Sequence, residues 1–330
     1  MMKNKIKTAG KFISVFLLPA LLFLVLHLFA SATITYLNIP SLLKQAIAPA
    51  ILGWGVLFNM KVGNWDFSVG SQVLLAAIIG GNLAIKLNMG IFGLILCCCL
   101  VGLACGALVG GIYYFLKIPT IIVSIGMLLI YESLGSIVFD GGGVKVPQEW
   151  IVFGSFPYNL ILLLVIGAFS YQLINHTTFG YHIRAVGSNA NVAQSNGINA
   201  YKVKTSALTM VGLFAGFYAM TNLGMNGVQR TVSSMGTMST CFDAMMCVFV
   251  GMALSYGVNI VIAIYIGSLF MQIIKLAFMV FGLPNEFNSI VIAVIVLVFI
   301  AINNNPQVFE KLKQKVQNSI GGKRRVSYEG

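Results

Sequence analysis

The sequence predicts an all-α integral membrane protein of about ten transmembrane helices, one short and discontinuous, with both termini in the cytoplasm. Three observations predict it. Of 330 residues, 58% are apolar and only 8% charged, where a soluble domain carries roughly a quarter charged, and mean hydropathy is +0.92. The apolar residues fall into runs close to the ~20 residues that cross a bilayer core. Lysine and arginine collect in alternate connections between those runs, as the positive-inside rule requires.

The runs are 12–30, 42–60, 69–86, 90–115, 119–139, 157–175, 205–225, 241–254, 258–280 and 287–303. Ahead of the first, Lys3, Lys5, Lys7 and Lys11 make a basic N-terminus, 1–11, expected in the cytoplasm. With Ala30-Ser31-Ala32 this start imitates a secretory leader, but 12–30 is longer than the usual apolar region of one and more runs follow, so a retained helix is expected. The eighth run holds 14 residues and suits a broken or re-entrant helix buried among its neighbours. After the tenth run comes a basic tail, 304–330, with Lys311, Lys313, Lys315, Lys323, Arg324 and Arg325. Between the two flanks, 12–303 reads as one transmembrane domain.

Charge placement tests the count. With ten spans the inside set gains Lys61, Lys117, Arg184, Lys202 and Lys204, for 15 of the 20 basic residues, and leaves Lys44, Lys86, Lys145, Arg230 and Lys275 outside or at outer ends. Nine spans would export a basic terminus. The net charge of +12 thus belongs to membrane flanks. No nucleic-acid partner is expected, because aromatic residues do not interleave with the charges.

Two outer stretches, 140–156 with Asp140-Gly141-Gly142-Gly143 and 226–240 with Gly227, Ser233, Ser234 and Gly236, have turn-forming composition. The long inner connection, 176–204, is polar, and a loop of this length in a chain otherwise stripped of loops points to function. Within it Asn189 is an N-cap, Ala190 to Asn196 winds two turns, and Gly197 takes the left-handed position that ends them.

Catalytic and metal constellations are missing. His27, His176 and His182 have no ligand spacing, and Cys97, Cys98, Cys99, Cys105, Cys241 and Cys247 lie in apolar runs as small hydrophobes. Neither a Gly-x-Ser-x-Gly elbow nor a phosphate-binding Gly-x-x-x-x-Gly-Lys-Ser/Thr loop occurs. No cofactor is expected and the chain does not read as an enzyme. Acids in spans usually face a bundle interior or cavity, which singles out Asp66, Glu132 and Asp243. A polar, uncharged path with aromatic faces could draw on Trp54, Asn59, Trp65, Ser71, Gln72, Asn82, Tyr218 and Asn222.

Four segments resemble the permease subunits of ribose-type bacterial ABC sugar importers. Gly180 to Lys204, with Ala185-Val186-Gly187-Ser188-Asn189, Ala193 and Asn196-Gly197-Ile198-Asn199, is similar to their coupling loop. Asp66-Phe67-Ser68-Val69-Gly70-Ser71 resembles their Asp-Leu-Ser-Val-Gly-Ser signature, and 119–127 their Pro-x-x-Ile-Val-Thr-Leu-Gly segment. Phe242-Asp243-Ala244 followed by Gly251 is similar to the start of their late discontinuous segment. The resemblance implies import of a monosaccharide handed over by an extracytoplasmic binding protein, and a plasma-membrane location. It implies a separate ATP-binding subunit docked on Gly180, Arg184, Ala185, Gly187, Asn189, Ala193, Gly197 and Ile198, and a second permease subunit, identical or not. It gives Asp66, Ser68, Gly70, Ser71, Asp243 and Gly251 a pathway or structural role.

One departure stands out: Gly251-Met252-Ala253-Leu254-Ser255-Tyr256-Gly257 replaces the family's glycine pair and second glycine-rich turn, so bulky Met252 and Tyr256 are expected to prevent the same close backbone approach. Two alternatives stay open, an ABC permease for nucleosides or branched-chain amino acids and an ion-coupled secondary carrier that works alone.

Overall fold

The computed structural model describes residues 2–29, 35–255, 257–283, 290 and 294. Residues up to Leu283 form one unit; in the second, from Pro284 onward, Ile290 and Val294 are helical. The body of the tenth apolar run, the basic tail, Ser31-Ala32 and Tyr256 lie outside the described residues.

Each of the first nine runs is helical. They give α1 (Met2–Phe29), α2 (Asn38–Gln45) with α3 (Ile47–Lys61), α4 (Val69–Lys86), α5 (Gly90–Leu116), α6 (Thr120–Ile137), α7 (Tyr158–His176), α10 (Ala200–Asn226), α11 (Met238–Leu254) and α12 (Ile260–Val280). Seven segments are long and apolar enough to cross a membrane: 38–61, α4, α5, 120–141, α7, α10 and α12. The helix α11 starts three residues before its apolar run but, at 17 residues, remains shorter than a bilayer crossing. The N-terminal lysines lie within α1.

The second run is broken at Ala46. Carbonyls around the break also accept from α12, with Ser268 Oγ donating to Ala46 O at 2.7 Å and Tyr265 Oη to Leu43 O at 3.1 Å, which ties the break to that helix. The tightest seam joins α5 to α10. A methyl on Gly106 would stand 2.7 Å from Gly212 Cα, and one on Gly102 would meet the backbone of Gly212 and Gly216. Small residues four apart on both helices let the backbones touch, the membrane-protein route to helix association. Beside the seam, Leu75, Cys105, Val109, Tyr113, Val123, Met127, Tyr131 and Leu208 form a core cluster uniting α4, α5, α6 and α10. There Tyr131 Oη donates to the Cys105 carbonyl at 2.7 Å, so the buried phenol is satisfied.

The two glycine-rich stretches 140–156 and 226–240 are not independent turns. They pair as an antiparallel ribbon of β1 (Val144–Lys145) and β2 (Val228–Gln229), with Val144 opposite Gln229. The inner connection is also more ordered than its composition suggests. It contains α8 (Thr178–Ser188) before α9 (Ala190–Ser195).

Candidate functional site

Asp66 sits between α3 and α4 as the centre of a buried polar knot. Its Oδ1 accepts from the Ser68 amide at 3.0 Å and from Ser68 Oγ at 2.5 Å, and Oδ2 accepts from Asn59 Nδ2 at 3.3 Å. Gln72 Nε2 donates onward to Ser68 Oγ at 2.9 Å, and Ser71 Oγ donates to the Ser68 carbonyl at 2.8 Å. Burial pushes the Asp66 carboxyl above its ordinary range, and the hydrogen bonds from Ser68 oppose that shift. The knot reaches α11: Cys241 Sγ donates to the Asp66 carbonyl at 3.3 Å, and Gly70 lies against the Thr237 backbone. Asp66, Ser68, Gly70 and Ser71 therefore act as one structural unit.

Glu132, singled out from sequence by depth alone, is 2% exposed and caps α11 from α6. Its Oε1 accepts from the Thr237 amide at 2.9 Å and Thr237 Oγ1 at 2.5 Å, while Oε2 accepts from the Met235 amide at 2.8 Å. A carboxylate at a helix start takes up orphaned amides and suits the helix dipole. Asp243 stands apart from this knot, paired with Lys275 of α12 at 2.5 Å. Lys275 lies near the C-terminal end of α12 and has a charge partner.

Gly251 is the one glycine of the altered turn that lies in α11. It is helical, and a methyl there would stand 2.7 Å from Ile264 Cα. The close approach to α12 is kept, because Met252 points away and is 38% exposed.

Several of the path residues read from the sequence are buried or hydrogen-bonded to neighbouring elements. Trp54 is buried and donates to the Val261 carbonyl at 2.9 Å, and Asn59, Ser71 and Gln72 are buried. Asn82 donates to the Gly143 carbonyl at 2.9 Å, and Asn222 to Gln229 Oε1 at 2.9 Å, so both tie helices to the ribbon.

In the inner connection, Asn189 Oδ1 accepts from the amides of Asn191 at 3.0 Å and Val192 at 3.1 Å. At the other end of α9, Gly197 has φ +82°, its amide donates to Gln194 O at 3.0 Å, and Ile198 donates to Ala193 O at 3.0 Å. These two bonds close a Schellman motif. Thr177 caps α8 through Gly180 N at 3.2 Å, and Asn199 caps α10 through Lys202 N at 3.1 Å. Three caps in 23 residues make the segment a rigid pair of helices.

That pair is seated on the bundle. Arg184 donates to the Ile174 carbonyl of α7, Gly180 abuts the carbonyls of Leu173 and Ile174, and Gly187 abuts the Lys61 carbonyl at the end of α3. Phe179 packs on Phe58 with centroids 5.1 Å apart. On the opposite side, Tyr181, Val192 and Asn196 are exposed and line, with Ala185 and Asn189, an open groove of about 660 Å³.

Residues 38–300 match the family model described as branched-chain amino acid transport system / permease component. The chain belongs to this permease family. With seven helices long and apolar enough to cross a membrane among the described residues, it is a multi-pass membrane protein. It is 25% identical over 295 residues to the galactose/methyl galactoside import permease protein of Escherichia coli (strain K12), covering 82% of this chain and 87% of that one. Against the ribose import permease protein of the same strain it is 23% identical over 283 residues, covering 82% and 86%. The autoinducer 2 import system permease protein of Photorhabdus luminescens is 27% identical over 292 residues, covering 81% and 86%. No solved structure matches the chain.

Proposed function

We propose that this chain is the transmembrane permease subunit of an ATP-binding cassette importer and forms the path for a monosaccharide delivered by an extracytoplasmic binding protein. The observation that carries the reading is the α8–α9 pair, doubly capped, seated on α3 and α7, and presenting an open groove on its far side. A rigid projection of this kind passes force; a flexible loop would absorb it. When an ATP-binding subunit docked in the groove moves, Arg184, Gly180 and Gly187 carry the displacement into the ends of α7 and α3, and α3 is packed along α10. Rocking of these helices would open the path alternately to each side. The chain contributes no nucleotide chemistry; hydrolysis falls to the partner.

The sugar preference is supported by the relatives named for galactose, ribose and autoinducer 2, while the family model's own description favours keeping branched-chain amino acids as the second reading. The topology proposed is ten spans with both termini and residue 190 in the cytoplasm of a bacterial inner membrane. A second permease subunit completes the pore.

Reconstitution tests the reading. The chain assembled with an ATP-binding subunit and a binding protein should take up galactose or ribose only with ATP, and leucine should not compete. Uptake by the chain alone in proteoliposomes would identify an ion-coupled carrier instead. Single-cysteine labelling that reached position 190 only from outside would overturn the topology.

A further inference from the structure

The ribbon strand β2 and the helix α11 are separated by the eight residues 230–237, and the elements at both ends of that stretch touch α4. At one end Asn82 donates to the Gly143 carbonyl and Gly81 abuts Val144 of the ribbon. At the other, Gly70 abuts the Thr237 carbonyl. Gly70 and Gly81 are eleven residues apart on one helix, about 16 Å along its axis. Extended at about 3.3 Å per residue, the eight residues 230–237 reach up to roughly 26 Å, enough to cover that distance beside α4 as irregular backbone.

Because α4 is itself a spanning helix, that backbone lies at membrane depth. Non-helical chain is tolerated there only when protein buries it or water reaches it. Ser233, Ser234, Met235 and Gly236 are exposed, which excludes burial within this chain. The exposed hydroxyls of Ser233 and Ser234 are unsuited to acyl chains and suit contact with water.

The stretch is also held in a disfavoured conformation. Ser234 and Met235 both have positive φ, 59° and 60°, without being glycine. What fixes them is Glu132, whose two carboxylate oxygens grip the Met235 amide and both donors of Thr237. One buried acid thus spans the strained pair and Thr237, the N-cap residue of the helix that follows.

We propose that residues 230–237 form a wall of the aqueous solute path and that Glu132 is the positioning residue that holds this wall in place. The proposal rests on the permease reading, and its first test does not depend on which solute is carried.

A charged methanethiosulfonate reagent is applied to the chain in lipid nanodiscs, where both faces meet water and lipid-facing thiols stay unreactive. Ser234→Cys should react at least tenfold faster than the background of the native cysteines. Reaction no faster than that background would overturn the path assignment. In the complex with its ATP-binding subunits, trapping with ATP and vanadate should change the Ser234→Cys rate several-fold; an unchanged rate would show that the wall does not move with transport.

Glu132→Gln keeps one acceptor and turns the other into a donor facing the Met235 amide. Measured on the folded, monodisperse fraction, it should shift the Ser234→Cys rate at least fivefold, and Thr237→Ser, which keeps both donors, should restore or leave the original rate in an otherwise normal chain. If Glu132→Gln only lowers the folded yield while the labelling rate per folded molecule is unchanged, Glu132 has no positioning role.

Discussion

Lys275 donates to Asp243 at 2.5 Å, joining α12 to α11, with side chains 27% and 25% exposed. Neither charge is in bulk water and neither is fully desolvated. Removing one partner strands the other, whereas removing both leaves two uncharged side chains in a crevice that tolerates them. Lys275→Met should therefore destabilise by about 1–3 kcal/mol, less than the full penalty of a buried pair because of the partial exposure. The double variant Asp243→Asn, Lys275→Met should recover at least half of that. Thermal unfolding in detergent checks both, and equal destabilisation of single and double variants would refute the coupling.

The α5–α10 seam makes a second prediction. Gly106→Leu inserts a branched side chain where the Gly212 backbone stands, and overpacking of this kind costs about 1–3 kcal/mol or more. Gly111→Ala on the same helix meets nothing within 4 Å and serves as the control. Folded yield after membrane extraction should fall several-fold for the first and stay level for the second.

What the sequence made legible was local. Apolar runs located the helices because burial in lipid or protein selects the same residues, and Asn189 and Gly197 were readable because a cap acts within three residues of itself. The same local logic was available for α8, where Thr177 precedes Gly180, Ile183 and Val186 at spacings of three, the buried face of that helix; a polar average over 176–204 concealed it. The long-range pairings had no such signature. Glu132 and Thr237 are 105 residues apart, Val144 and Gln229 meet where the chain leaving α6 and the chain leaving α10 come together against α4, and the partner of Lys275 lies 32 residues away on α11.

The ribbon yields a third prediction. Gly143 has φ +71° and abuts the Gln229 carbonyl, whereas Gly142 has negative φ and only the Phe139 carbonyl at 3.6 Å. Gly143→Val should break the β1–β2 pairing and, if this rim receives the binding protein, cut uptake while basal ATPase of the assembled complex holds. Gly142→Ala should leave both near normal. Equal uptake in the two variants would remove the ribbon from the docking surface.

The last prediction concerns the ends of α9, where cap geometry and proposed function meet. Asn189→Ala strips the acceptor from the amides of Asn191 and Val192, a loss of roughly 0.5–2 kcal/mol to the helix. Gly197→Val places a β-branched residue at φ +82°, at a cost of at least ~1 kcal/mol. Space is not the issue, since nothing lies within 4 Å of a methyl at Gly197; the penalty is purely conformational and should appear equally with Ile or Thr but vanish with Asn, which tolerates the left-handed region. Both variants should insert and fold, because α8 stays fixed through Arg184 and Gly180, but co-purification of the ATP-binding subunit should weaken and solute should no longer stimulate hydrolysis. A Gly197→Val chain that retained its ATPase at full occupancy and transported normally would show that α9 does not transmit the power stroke.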